Sequence, residues 1–72
     1  MKLENKREKF VRLAESRVNN TIKNIDLIGN LANKSNYDYT KNDVEKIIRT
    51  LKKSINELEL RFASNNKSDF RL

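Results

Sequence analysis

Cysteine, proline, histidine and tryptophan are all missing from the 72 residues, and Gly29 is the only glycine. Without cysteine there is neither a disulfide nor a thiolate zinc site. Without histidine the commonest metal ligand and general base is absent. Without proline, and with a single glycine, the chain lacks the turn residues that a β protein of this length would need several times. No apolar run approaches the ~20 residues of a membrane span. The N-terminus, Met1 to Phe10, is charged throughout, which argues against a signal peptide. The expectation is a cytoplasmic protein with no membrane partner.

What is present is charge. Sixteen Lys and Arg face ten Asp and Glu, a formal net charge of +6, and 36% of the residues are hydrophobic. A chain of this length makes one small domain and buries only about 60% of its unfolded surface. Small domains usually add a disulfide, a metal or an oligomer interface. Oligomerisation is the staple left open here.

The apolar residues repeat with a helical period. Val11, Ala14, Val18, Thr21, Ile25, Ile28 and Ala32 are spaced 3,4,3,4,3,4, and Phe10, Ile22, Leu27 and Leu31 widen the stripe. Lys9, Arg12, Ser16, Asn19, Lys23 and Asp26 take the far side. This predicts an amphipathic helix over about 4–32. Val44, Ile48, Leu51, Ile55, Leu58 and Phe62 are spaced 4,3,4,3,4, an unbroken heptad seam that predicts a second helix over about 41–63. Thr40 and Asp43 form a capping-box-like start. Glu45 to Arg49 and Glu57 to Arg61 are i,i+4 pairs in the favourable orientation. Between the helices, residues 33–39 are rich in Asn, Ser and Asp, which bond their own backbone and make a turn. Residues 64–72 lack periodicity and read as a flexible tail. The expected fold is all-α, with 1–63 a two-helix antiparallel hairpin that a second copy completes to a four-helix bundle, or that a larger protein partner covers. Leu13, Leu27, Leu31 and Leu60 are the residues assigned to that interface.

The tract Leu27 to Thr40, LIGNLANKSNYDYT, is the most distinctive in the chain. With RLAESRVN before it and DVEKII after it, it resembles small uncharacterised helical proteins of phages and other mobile elements of low-GC Gram-positive bacteria. The likeness spans roughly residues 8 to 62. It implies a mobile-element setting, where such proteins act as replication accessories, regulators or inhibitors of host defence.

Within this tract, Gly29 falls at the core spacing of the first helix. A glycine there costs about 1 kcal/mol of helix propensity relative to Ala. It reads as a notch for Tyr37 or Tyr39, or as a helix C-cap. A ligand approaching the backbone is the sharper alternative. The tyrosines could plug the end of a bundle, or stack single-stranded bases beside Lys34 and Lys41.

Asn42, Lys46, Arg49, Lys53 and Asn56 share one face of the second helix, with Lys52 beside it. Such a stripe can track phosphates, or be the solvated face of an ordinary helix. The candidate nucleic-acid-binding residues are Lys46, Arg49, Lys53, Lys52, Lys34, Tyr37 and Tyr39. Catalysis has little support. The carboxylates form no convergent set, and Ser16, Thr50 and Ser54 have no histidine to activate them. The expectation is no enzyme, no cofactor and no metal. Three functions remain, in order. The first is a nucleic-acid-binding accessory of a mobile element, in replication or regulation beside a larger enzyme. The second is a protein-binding inhibitor or adaptor, for instance against a bacterial defence nuclease. The third is a structural phage module.

Overall fold

The computed structural model describes residues 3–66. Helix α1 runs Lys6–Gly29, a 3₁₀ segment follows at Asn30–Ala32, and helix α2 runs Lys41–Asn66. The described residues contain no strand. The all-α class expected from the missing turn residues is therefore present. The chain divides into two compact units, one carrying α1 and the turn through Asp38, the other beginning at Tyr39 and carrying α2.

Helix α1 starts two residues later than its apolar period suggests, because Asn5 caps it. Asn5 has extended backbone, and its Oδ1 accepts from the Glu8 N–H at 2.7 Å. The Asn5 N–H donates in return to Glu8 Oε1 at 3.1 Å. This reciprocal box satisfies two backbone donors that would otherwise lack partners. Ahead of the cap, Glu4 accepts two bonds from Arg12, 2.8 Å from Nε and 2.9 Å from the terminal guanidinium nitrogen. Arg7 lies over the ring of Phe10, 5.8 Å from its centroid.

At the other end, the Asn30 N–H reaches the carbonyl of Asp26 and also that of Leu27 as the helix tightens to 3₁₀ geometry. Asn33 then leaves the helical region, at φ −72° and ψ 100°. Its side chain accepts from the Ser35 N–H at 2.9 Å, an Asx turn. Its carbonyl accepts from the amides of Asn36 and Tyr37 at 3.1 and 3.0 Å. One asparagine thus stops the helix and organises the turn.

Thr40 and Asp43 open α2 as a full capping box, and Val44 donates to the Thr40 carbonyl at 3.2 Å. The helix continues three residues past its expected end at 63. Ala63 is the best helix former, and no glycine or proline follows to stop it. The remainder of the expected tail, 67–72, lies outside the described residues. Thr21 and Thr50 sit inside their helices by donating to the carbonyls four residues back, at 2.8 Å to Arg17 and 2.7 Å to Lys46.

Two expectations need correction. Gly29 is not a notch for Tyr37, and it is not a left-handed cap. Its φ and ψ are ordinary helical values, −60° and −30°, and a Cβ there would meet nothing within 4 Å beyond its chain neighbours and its own helix backbone. The pairs Glu45–Arg49 and Glu57–Arg61 do not close to within 4 Å among the described residues. Such exposed pairs gain little and lose side-chain entropy when held.

No described side chain is buried. Val11, Leu13 and Ala14 on α1, Leu51 on α2, and Tyr39 are half-buried. The rest of the α2 seam stands open, Ile48 at 45%, Ile55 at 58% and Leu58 at 50% exposure.

Candidate nucleic-acid interface

The rise of α2 puts Lys46 and Lys53, two turns apart, about 10 Å from each other along the axis. Arg49 stands between them, one turn from each. A shallow groove beside this line is walled by Val44 and Ile48 on the apolar side and by Arg49, Lys52, Lys53 and Asn56 on the basic side. Glu45 also lines it and is its acidic member. Lys46, Arg49, Lys52 and Lys53 are all exposed, and none has a carboxylate oxygen within 4 Å among the described residues. Their charges are therefore directed at solvent rather than held in ion pairs.

The first turn modifies that field. The Asp43 carboxyl is held below its ordinary range, chiefly by the Thr40 amide and hydroxyl, with Lys46 adding a favourable charge. Lys46 thus has an acidic neighbour in Asp43, while Arg49, Lys52 and Lys53 form the stretch beyond the first turn. This stretch can hold an anionic backbone by charge and by the planar donors of Arg49. A general base or nucleophile is not assembled along it.

The other predicted contacts fall elsewhere. Lys34 and Tyr37 belong to the first unit and Tyr39 to the second. Tyr37 is 48% exposed and its amide is tied to Asn33. Tyr39 is half-buried. Of the four residues assigned to an interface, Leu27 and Leu60 are the most open, at 62% and 66%. Leu31 is exposed and Leu13 half-buried. Leu60 follows Lys53 by seven residues, so it continues the line of Lys46 and Lys53 and faces away from the seam.

The Glu4–Arg12 pair was not anticipated from sequence. It lowers the pKa of Glu4 and raises that of Arg12, first through their hydrogen bonds and further through charge. Eight residues separate the two, outside the i,i+3 and i,i+4 spacings that a helix reading tests. The Asn5–Glu8 box was legible, since Asn followed three residues later by Glu is a helix-start signature.

No group of three or more Asp or Glu side chains converges among the described residues in a way that could hold a metal ion. No helix among them is long and apolar enough to cross a membrane. No protein-family model, curated protein or solved structure matches the chain.

Proposed function

We propose that the protein is a small basic accessory that binds nucleic acid through the Lys46–Arg49–Lys53 face of α2, with Lys52 beside it. The observation that carries this reading is the line of exposed cations on one helix without carboxylate partners among the described residues. It fits the net charge of +6. The Leu27–Thr40 resemblance suggests a mobile-element setting and a role in replication or regulation beside a larger enzyme. The assembled form is an antiparallel hairpin paired with a second copy in a four-helix bundle, which would cover stripes that one chain leaves open. Tyr37, Tyr39 and Lys34 would add contacts to single strands.

Fluorescence anisotropy with labelled single- and double-stranded DNA and RNA, titrated against salt, tests this. Binding should weaken steeply with salt as counterions are released. Changing Lys46, Arg49 and Lys53 together to Gln should flatten the log–log slope by roughly two to three. Helix content should persist, because Gln is a good helix former. Wild-type protein that binds none of the four at low salt refutes the reading.

A second reading, a protein-binding inhibitor or adaptor, draws on a different observation, the exposure of every apolar seam residue of α2 except Leu51. A large uncovered apolar surface marks an interaction site. Pull-down from the host would then recover a stoichiometric protein partner, and binding would be lost on changing Ile48 and Ile55 to Asp but kept in the triple Gln variant.

A further inference from the structure

We propose that the seam of α2 docks the same seam of a second copy, parallel and in register. This rests on the self-association proposed above but departs from its four-helix packing, since the two α2 seams meet each other directly as a two-stranded pair. Written as heptads, Ile48, Ile55 and Phe62 take position a, and Val44, Leu51 and Leu58 take position d. β-branched residues at a with leucine at d are the combination that favours two parallel strands. Four consecutive seam residues, Ile48, Leu51, Ile55 and Leu58, follow it without exception.

The flanking positions discriminate between directions. Glu45, Lys52 and Glu59 occupy e, while Ile47, Ser54 and Arg61 occupy g. In a parallel, in-register pair, each g residue faces the following e residue of the other copy. Ile47 then meets Lys52, whose methylenes can lie along it with the ammonium in water. Ser54 meets Glu59, to which its hydroxyl can donate. No like charges face each other. An antiparallel pair that overlaps the whole seam sets e against e. Lys52 then faces Lys52 of the other copy, and Glu45 faces Glu59, so both contacts are repulsive. Sliding that pair by one heptad replaces repulsion with Glu45–Lys52 or Lys52–Glu59 attraction. It also leaves two of the six seam residues without a facing partner. The parallel arrangement alone keeps the full seam and avoids like-charge contacts. It turns Lys46, Arg49 and Lys53 outward on both copies, so one dimer carries two basic faces.

The chain has no cysteine, so single cysteines can be placed without background. Asn42, Asn56 and Ala63 all occupy the outward b position. Each would be changed to Cys in the full chain, spin-labelled, and measured by pulsed dipolar spectroscopy under conditions where sedimentation shows a dimer. A parallel pair gives three similar interspin distances, because the axial offset is zero at every site. A full-overlap antiparallel pair gives offsets of about 33, 9 and 30 Å along the axis at 1.5 Å per residue, a long–short–long series. That series, or unequal distances from a shifted register, overturns the proposed direction but leaves self-association standing. A monomer at labelling concentration overturns both.

Discussion

Thr40 and Asp43 each hold the other's backbone amide. The Asp43 N–H donates to Thr40 Oγ1 at 3.1 Å, and the Thr40 N–H donates to Asp43 Oδ2 at 2.9 Å. This closes the N-terminus of the helix that carries both the basic face and the seam. Thr40→Ala should destabilise α2 by about 1 kcal/mol, and Thr40→Ser should retain most of the cap. Urea unfolding followed by circular dichroism measures the difference. Equal midpoints for Ala and wild type would show that α2 starts independently of its cap.

The Thr40–Asp43 box and the Glu4–Arg12 pair should make the helices acid-sensitive. Asp43 is held below its ordinary pKa by Thr40 and Lys46, and Glu4 below its own by Arg12. Carboxyls with depressed folded-state values contribute stability above their unfolded pKa and lose it as the pH falls through the folded value. Helix stability should therefore hold from neutrality to about pH 5 and fall progressively below it, as free carboxylates with pKa values near about 4 take up protons. Asp43→Asn and Glu4→Gln should each reduce that acid loss. Thermal melts between pH 7 and 2 give the profile, and a melting temperature that rises on acidification would contradict it.

Gly29 provides a prediction of the opposite sign. Its backbone is helical and a Cβ would meet nothing within 4 Å beyond its chain neighbours and its own helix backbone. Gly29→Ala should raise stability by a few tenths to about 1 kcal/mol, since alanine loses less conformational entropy in a helix. A loss would show that another surface packs against this position in the assembled protein.

The helices were legible because their signals are local. The 3,4 spacing from Val11 to Ala32 and the seam from Val44 to Phe62 survive any choice of partner, and Thr40 with Asp43 marks a start within four residues. Gly29 was misread because its spacing matches the stripe, whereas its surroundings depend on packing. The second helix was ended early because the apolar period stops at Phe62, although Ala63 and its polar successors still allow helix. The basic face could be drawn from the register of α2 alone. Whether Lys34, Tyr37 and Tyr39 join it depends on tertiary arrangement, to which periodicity is blind. Leu60 shows the converse. It was assigned to the interface for being apolar, yet its heptad position is shared with Lys46 and Lys53.

That position yields a paired test of association. No described side chain is buried. Isolated helices in water are marginal, and most helical stability in proteins comes from burying an amphipathic face. Helix content and melting temperature should therefore rise with protein concentration, as mass action requires when only the assembled state is well packed. Leu51 is the half-buried centre of the seam, whereas Leu60 is 66% exposed on the opposite side. If the seam is covered in the assembly, Leu51→Ala should cost about 2–5 kcal/mol, the range for truncating a buried leucine. Leu60→Ala should stay within about 0.5 kcal/mol, as surface changes usually do. Sedimentation and concentration-dependent circular dichroism on both variants read this directly. Equal losses would mean that the assembly covers the Lys46–Lys53–Leu60 line as well, and that face would then be a protein interface rather than a phosphate-binding one.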